Sequence, residues 1–419
     1  MDFFNHIQGV LHGENVPVQR MVEAVGTPFY LYSRATLEHH WHAFHNAFAP
    51  QPHEVCYAVK ANSHIAVLNL LARLGSGFDI VSGGELARVI AAGGNPQKTI
   101  FSGVGKSPEE INFALASSIG CFNVESFEEL KMIHELAKQQ NVVAPIALRV
   151  NPNVDAKTHP YISTGLKENK FGVDIGEALS LYEAARDWSH LKIKGIGCHI
   201  GSQLTSTEPF VEALKEILKI YDLLLEEGFT LEHIDIGGGL GAPYRPGEIL
   251  PSPKEYAEAI KQCLGHRKVK ILLEPGRAIA ANAGILVTKV LLLKKGHHKN
   301  FAVVDAGMND LMRPSLYQAW HDIVLVNPSS SSCVPYAYDI VGPVCETSDF
   351  FGKDRELPLE PNTVLAIRSA GAYGFTMSSN YNSRPKVAEV MVDGDHFEVI
   401  RPRESIQDLF STETLLREN

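Results

Sequence analysis

The sequence predicts an α/β fold: a (β/α)8 TIM-like barrel followed by a β-rich, sandwich- or barrel-like C-terminal domain. Three observations carry this. From residue 54 to about 275, eight short apolar runs alternate with stretches of helical periodicity. Alternation of that kind implies a parallel sheet, and eight repeats suggest a closed one. After residue 276 the long helical patterns give way to strand-like segments separated by turns. A doubly wound open sheet is the alternative for the first part.

The runs, in order, are EVCYAVK (54–60), GFDIVS (77–82), KTIFSG (98–103), CFNVES (121–126), PIALRVN (145–151), KGIGCHIG (194–201), HIDIGGG (233–239) and KILLEPG (269–276). Between them lie segments such as SFEELKMIHELAKQQ and PFVEALKEILKIYDLLLEEG, whose apolar residues recur at helical spacing. The later strands are ILVTKVLLLKKG, KNFAVVDAG, YAYDIVGPVC, NTVLAIRSAG and KVAEVMVDGDHFEVIRP, the last broken by an Asp-Gly turn at 393–394. PFYLYS (28–33) precedes the repeats and reads as an extra strand of the second domain. The expected domains are therefore a barrel over 34–275, and a discontinuous β-rich domain made of 1–33 plus 276–419.

Composition narrows the class of function. At 419 residues, 45% hydrophobic and 21% charged, the chain is long enough for two globular domains. A formal net charge of −10 argues against a nucleic-acid surface. The six cysteines form no C-x-x-C pair, so neither a disulfide framework nor a zinc site is expected, and a reducing cytoplasm is. MDFFNHIQGVLHGENV lacks a basic segment followed by an apolar core, so no signal peptide is expected, and no run is long enough to span a bilayer. HHWHAFH (39–45) lies on a helical stretch and reads as an exposed amphipathic face rather than a metal set; no metal site is expected.

Chemistry in such a barrel sits at the C-terminal ends of the strands. Those ends carry Lys60, Asp79, Arg149, His199, the glycines 237–239, and Glu274 with Arg277. Each has an ordinary explanation alone. A lysine at a strand end reaches solvent, an aspartate caps a helix, a histidine is a satisfied core residue, and glycines make turns. Together they define one site. No G-x-x-x-x-G-K-[ST] loop is present, so a P-loop site is excluded. A lysine that can bond an aldehyde, glycines whose N–H groups meet a phosphate, a carboxylate for a pyridine nitrogen and an imidazole to cover a ring match pyridoxal 5'-phosphate. Glu274 at the nitrogen favours pyridinium, which suits decarboxylation.

The ordered motifs YAVKAN (57–62), FDIVSGGEL (78–86), HIGSQ (199–203), DIGGGLG (235–241), EPGR (274–277), DLMRPSLY (310–317), GPVCETSD (342–349) and GAYGF (371–375) resemble the diaminopimelate decarboxylase family. These are pyridoxal-phosphate enzymes of the alanine-racemase-like fold type, grouped with ornithine and arginine decarboxylases. The resemblance runs from about residue 26 to near the C-terminus. It implies that Lys60 carries the cofactor and that His199 stacks on its ring. It further implies that Ser202, Gly238, Gly239 and the Glu274-Pro275-Gly276-Arg277 segment surround its phosphate and nitrogen, with Asp79 and Arg149 lining the site. Tyr373 would meet both phosphate and substrate. Arg277, Arg313 and Tyr317 would hold a distal carboxylate and Glu346 a distal ammonium. Cys345 would protonate the α-carbon. Glu346 after Cys345, where diamine-forming relatives carry aspartate, favours a substrate with an amino-acid group at each end. The implied reaction converts meso-2,6-diaminopimelate to L-lysine and CO2, in a cytoplasmic homodimer with shared active sites. An ornithine- or arginine-type decarboxylase is the alternative.

Overall fold

The computed structural model describes residues 2–155, 169–328 and 333–417. The chain divides into two compact units. One comprises residues 38–242 and 249–279; the other comprises 1–37, 243–248 and 280–419.

The first unit is a closed parallel barrel. A nine-stranded sheet contains His53–Ala58, Gly77–Ile80, Thr99–Phe101, Cys121–Val124, Ala144–Asn151, Leu191–Gly197, His233–Asp235 and Lys270–Leu273, which pair in chain order. Ile271 lies opposite His53, so the eighth strand closes on the first. The ninth, Val173–Asp174, hangs on the end of the fifth at Val150 and Asn151. The eight runs read from the sequence are these eight strands. Seven of them are buried along most of their length, as strands covered on both faces must be; the sixth, Leu191–Gly197, is buried only over its last three residues.

Helix starts in this unit repeat one chemical device. Ser82, Ser107, Ser126 and Ser252 each accept the backbone N–H of the glutamate three residues on. At Ser107 and Ser252 the glutamate bonds back to the cap, completing the reciprocal pair. Glu85 and Glu129 reach one residue further, to the N–H groups of Val81 and Glu125. The His-rich helix Arg34–Phe48 is less exposed than its sequence suggests. Trp41 and Phe44 are buried, and His40 Nδ1 lies 2.9 Å from the carbonyl of Ile279.

The second unit is built on a mixed sheet. Phe29–Ser33 pairs antiparallel with Gly284–Lys294 and parallel with Ala388–Asp393. PFYLYS thus supplies a strand of this unit, and all five of its strand residues are buried. Their alternation feeds two cores: Tyr30 and Tyr32 join Leu286, Val290 and Tyr338 on one face, while Phe29 and Leu31 join Ile285, Val287 and Val390 on the other. The two tyrosine hydroxyls are satisfied, donating to the carbonyl of Asp310 at 2.6 Å and to Glu389 Oε1 at 2.7 Å. The hairpin Ala388–Asp393/His396–Arg401 turns at Gly394, where φ is +58°. A small antiparallel sheet of Phe4–Ile7, Val10–Gly13 and Val16–Pro17 precedes it.

Candidate active site

The first barrel strand ends at Ala58, two residues short of Lys60, which stands on a 3-10 turn over Val59–Ala61 rather than on the strand itself. The turn forms because the segment after the eighth strand is pressed against it. Ala58 donates its N–H to the carbonyl of Pro275 at 3.1 Å, and a Cβ on Gly276 would lie 3.0 Å from the Cβ atoms of both Ala58 and Ala61. Only glycine permits this approach without displacement. Lys60 Nζ meets Asp79 Oδ2 at 2.5 Å; the Asp79 side chain is fully buried and that of Lys60 about one-third exposed. Asp79 is therefore an ion-pair partner inside a strand, not a helix cap. The cap is Ser82.

The same barrel holds a cavity lined by Ser102, Asn123, Arg149, His199, Asp235 and Glu274, among others. Asp235 and Glu274 hydrogen-bond to each other in full burial. Burial raises both carboxyl pKa values, Glu274 well above the usual range; the Asp235 charge raises Glu274 further, while the hydrogen bond with Glu274 lowers Asp235. Asp235 is the better supplied with donors: Asn123 Nδ2 at 2.9 Å and the N–H of Gly237 at 2.9 Å. The pair thus keeps a proton on Glu274 while Asp235 carries the charge.

His199 projects from the segment after the sixth strand. The N–H of Gly238 donates to its Nδ1 at 3.1 Å. A nitrogen that accepts cannot carry hydrogen, so the ring is the neutral Nε2–H tautomer. Burial, then Arg149 and Lys60, holds its pKa well below the ordinary histidine value. The 3.9 Å approach of Nδ1 to Glu274 Oε2 is accordingly not an ion pair.

Arg149 is fixed from behind. Glu125 Oε1 takes its Nη1 at 3.1 Å and also the N–H of Gly103 at 2.8 Å, while Glu125 Oε2 takes the N–H of Gly172 at 2.9 Å. Arg277 donates through Nε and Nη2 to Ser202 Oγ at 3.2 and 3.1 Å. The turn Gly237–Gly239 packs closely on its neighbours: a Cβ on Gly238 would fall 2.1 Å from the carbonyl of Glu274, and one on Gly239, 2.4 Å from that of Gly201. These residues make a cradle of backbone beside an arginine.

Lys60, Asp79, Arg149, His199, Ser202, Gly238, Gly239, Glu274, Pro275, Gly276 and Arg277 are thus all in the barrel unit at its strand ends. The other candidates lie in the β-rich unit, where the Ser315 hydroxyl of the helix Arg313–Tyr317 donates to the carbonyl of Ser348, just beyond Cys345 and Glu346. Arg313, buried, opens the short helix Arg313–Tyr317 and packs over Tyr244. Cys345 is exposed, its N–H donating to Asn382 Oδ1 at 2.8 Å, and Glu346 Oε2 accepts from the Tyr381 hydroxyl at 3.2 Å. Tyr373 is half-buried with a left-handed φ of +55°. Sequence reading missed Asn123, Asp235 and Glu125, although each lies in or just after an apolar run already read as a strand. Polar residues in such runs were the available signal. Among the described residues no cluster of histidine, cysteine and carboxylate side chains could hold a metal ion, and no helix is long and apolar enough to cross a membrane.

The fit to a pyridine ring bearing a phosphate rests on three features of this geometry. A carboxyl holding a proton faces the cavity, buried Oδ1 atoms of Asp79 and Asn123 have no hydrogen-bond partner, and the glycine turn packs this closely on neighbouring backbone only because it lacks Cβ atoms.

Residues 34–281 match the family described as pyridoxal-dependent decarboxylase, pyridoxal binding domain. Diaminopimelate decarboxylase of Vibrio cholerae is 56% identical over all of both chains. That of Haemophilus influenzae is 54% identical over 99% of this chain and 100% of the relative. The crystal structure of diaminopimelate decarboxylase from Helicobacter pylori complexed with L-lysine superposes with a TM-score of 0.91, at 46% identity, over 94% of this chain and 99% of that one. A parallel barrel with a lysine–aspartate ion pair at its strand ends, joined to a β-rich unit and alike over its whole length to these proteins, belongs to the diaminopimelate decarboxylase family of pyridoxal-dependent enzymes.

Proposed function

We propose that this chain is a carboxy-lyase that converts meso-2,6-diaminopimelate to L-lysine and CO2, the last step of lysine biosynthesis, with pyridoxal 5'-phosphate as cofactor. The observation that carries the reading is the pairing of Lys60 with Asp79 in the same barrel as the protonated Glu274–Asp235 couple. When bound, pyridoxal phosphate supplies a ring that accepts the electron pair left on the substrate α-carbon as CO2 departs. Glu274 and Asp235 would hold that ring's nitrogen, with a proton already in place between carboxyl and ring. Asp79 orients the Lys60 amine through their ion pair; the lysine acts as a nucleophile once it has lost its proton. His199, neutral and hydrogen-bonded to Gly238, offers a flat uncharged face to cover the ring. Ser202, Gly238, Gly239, Gly276 and Arg277 would surround the phosphate, with Tyr373 as a further contact, and Arg149 lines the cavity.

In the β-rich unit, Arg313 and Tyr317, with Arg277, would bind the distal carboxylate, because a guanidinium fork matches two oxygens. Glu346 would take the distal ammonium, and Cys345 would return a proton to the α-carbon. The exposure of Cys345 is compatible with serving a second subunit. We read the enzyme as a cytoplasmic homodimer in which Cys345 and Glu346 complete the partner's site. L-Lysine in the Helicobacter pylori structure agrees with lysine as the product.

The test is turnover. The purified protein with pyridoxal phosphate is expected to release CO2 and lysine from meso-diaminopimelate, and far less CO2 from ornithine or arginine. No CO2 from the first, with turnover of either of the others, would replace this reading with an ornithine- or arginine-type decarboxylase.

A further inference from the structure

His321 is fully buried in the β-rich unit, two residues before the strand Ile323–Leu325. That strand pairs antiparallel with Val364–Ile367, and the ladder continues past it through the N–H of Arg368, which donates to the carbonyl of Asp322 at 2.8 Å. The continuation sets His321 Nδ1 at 2.8 Å from the Arg368 carbonyl. A carbonyl only accepts, so Nδ1 carries the hydrogen and Nε2 presents its lone pair. Arg313 Nη1 donates to that lone pair at 3.1 Å. The Arg313 guanidinium also lies over the Tyr244 ring, 4.6 Å from its centroid, and the same ring meets His321 edge-on at 5.3 Å. Tyr244 comes from the segment 243–248, which Glu248 closes by accepting the N–H groups of Tyr244 and Arg245 at 2.8 and 3.1 Å.

We propose that His321 is a positioning residue for substrate specificity. As the neutral Nδ1–H tautomer it fixes the Arg313 guanidinium flat on Tyr244, so that the remaining edge of the fork is aimed at the distal carboxylate of the substrate. The inference rests on the reading of Arg313 as the ligand of that carboxylate. Both His321 and Tyr244 are uncharged partners. They hold the guanidinium still without cancelling its charge, as a carboxylate in either place would. Orientation matters here because a bidentate contact depends on the plane of the fork as well as its position.

The experiment is steady-state kinetics on the full-length holoenzyme with meso-diaminopimelate. His321→Phe keeps a ring against Tyr244 and removes both hydrogen bonds. His321→Gln keeps one acceptor and one donor. The Phe variant is expected to raise KM about tenfold, the worth of a lost hydrogen bond to a charged group, with kcat changed much less. The Gln variant is expected to lie between it and the wild type. In an Arg313→Ala background, His321→Phe is expected to add almost nothing, since its effect passes through the arginine. Tyr244→Leu, at a half-buried position, is the second variant should the Phe protein fail to fold. It is expected to raise KM several-fold and to be equally silent without Arg313. Unchanged KM in the variants, or effects that multiply with that of Arg313→Ala, would overturn the inference. An Arg313→Ala protein with wild-type KM would instead remove the assignment of Arg313 on which it stands.

Discussion

The backbone N–H of Gly238 donates to Nδ1 of His199 at 3.1 Å. That one bond ties the segment after the sixth barrel strand to the glycine turn after the seventh and fixes the imidazole as a neutral acceptor. It requires the turn to lie close to the Glu274 carbonyl, where a Cβ on Gly238 would fall at 2.1 Å. Gly238→Ala is therefore expected to force the turn away and loosen His199 and Glu274 together. The expected cost is about 1–3 kcal/mol of stability, in the range of overpacking, with loss of cofactor retention. Thermal denaturation and cofactor absorbance after gel filtration check both. A fully stable variant that retains cofactor would mean the turn can relax freely.

Glu85 gives a pH dependence of defined sign. It folds back onto the N–H of Val81 at 2.7 Å, and burial raises its pKa to about 7 from an ordinary value of 4.5. The folded state then binds more protons than the unfolded state between those values, so the contribution is fully present below about 4.5 and lost as pH rises through about 7. Relative to Glu85→Gln, the wild-type apoprotein is expected to lose stability steadily over that interval. Melting curves across it decide the matter; a pH-independent difference would show that Glu85 titrates normally.

Arg313→Ala is expected to lower kcat/KM for diaminopimelate by an amount corresponding to about 2–5 kcal/mol, the cost of leaving a buried charge without its partner. Cofactor binding should be nearly unchanged. Kinetics on meso-diaminopimelate alongside a cofactor titration separates the two, and an unaltered kcat/KM would place Arg313 outside the substrate site.

The shared-site reading has its own test. Lys60→Ala and Cys345→Ala homodimers are each expected to be inactive. After subunit exchange about half the dimers are mixed, and each mixed dimer has one site lacking both residues and one lacking neither. Roughly a quarter of wild-type sites should return under closed two-fold symmetry. No recovery despite demonstrated exchange would mean that Cys345 serves its own chain.

Much of the barrel site was legible because six of the eight apolar runs break off at a charged, polar or Gly-rich feature. Lys60, Asp79, Arg149 and His199 stand out for that reason. Asn123 and Asp235 did not, since a polar residue next to a turn looks like part of the turn. Only the closed barrel shows them bonded to each other. Tyr244 was illegible for another reason: its sequence lies within the barrel repeats, but residues 243–248 belong to the β-rich unit. The N-terminal sheet has strands of two to four residues, too short to display a period. The strand Phe350–Leu357 carries exposed Lys353, Asp354 and Glu356 on an edge of its sheet, which hid its alternation.

The central claim is that Lys60 is the residue that carries the cofactor, held for that purpose at 2.5 Å from Asp79. Borohydride reduction of the purified protein with pyridoxal phosphate, followed by peptide mass spectrometry, tests it directly. The phosphopyridoxyl mass is expected on the peptide containing Lys60 and to disappear in Lys60→Ala, along with turnover. The mass on a different lysine, or an adduct and normal turnover surviving in Lys60→Ala, would contradict the account.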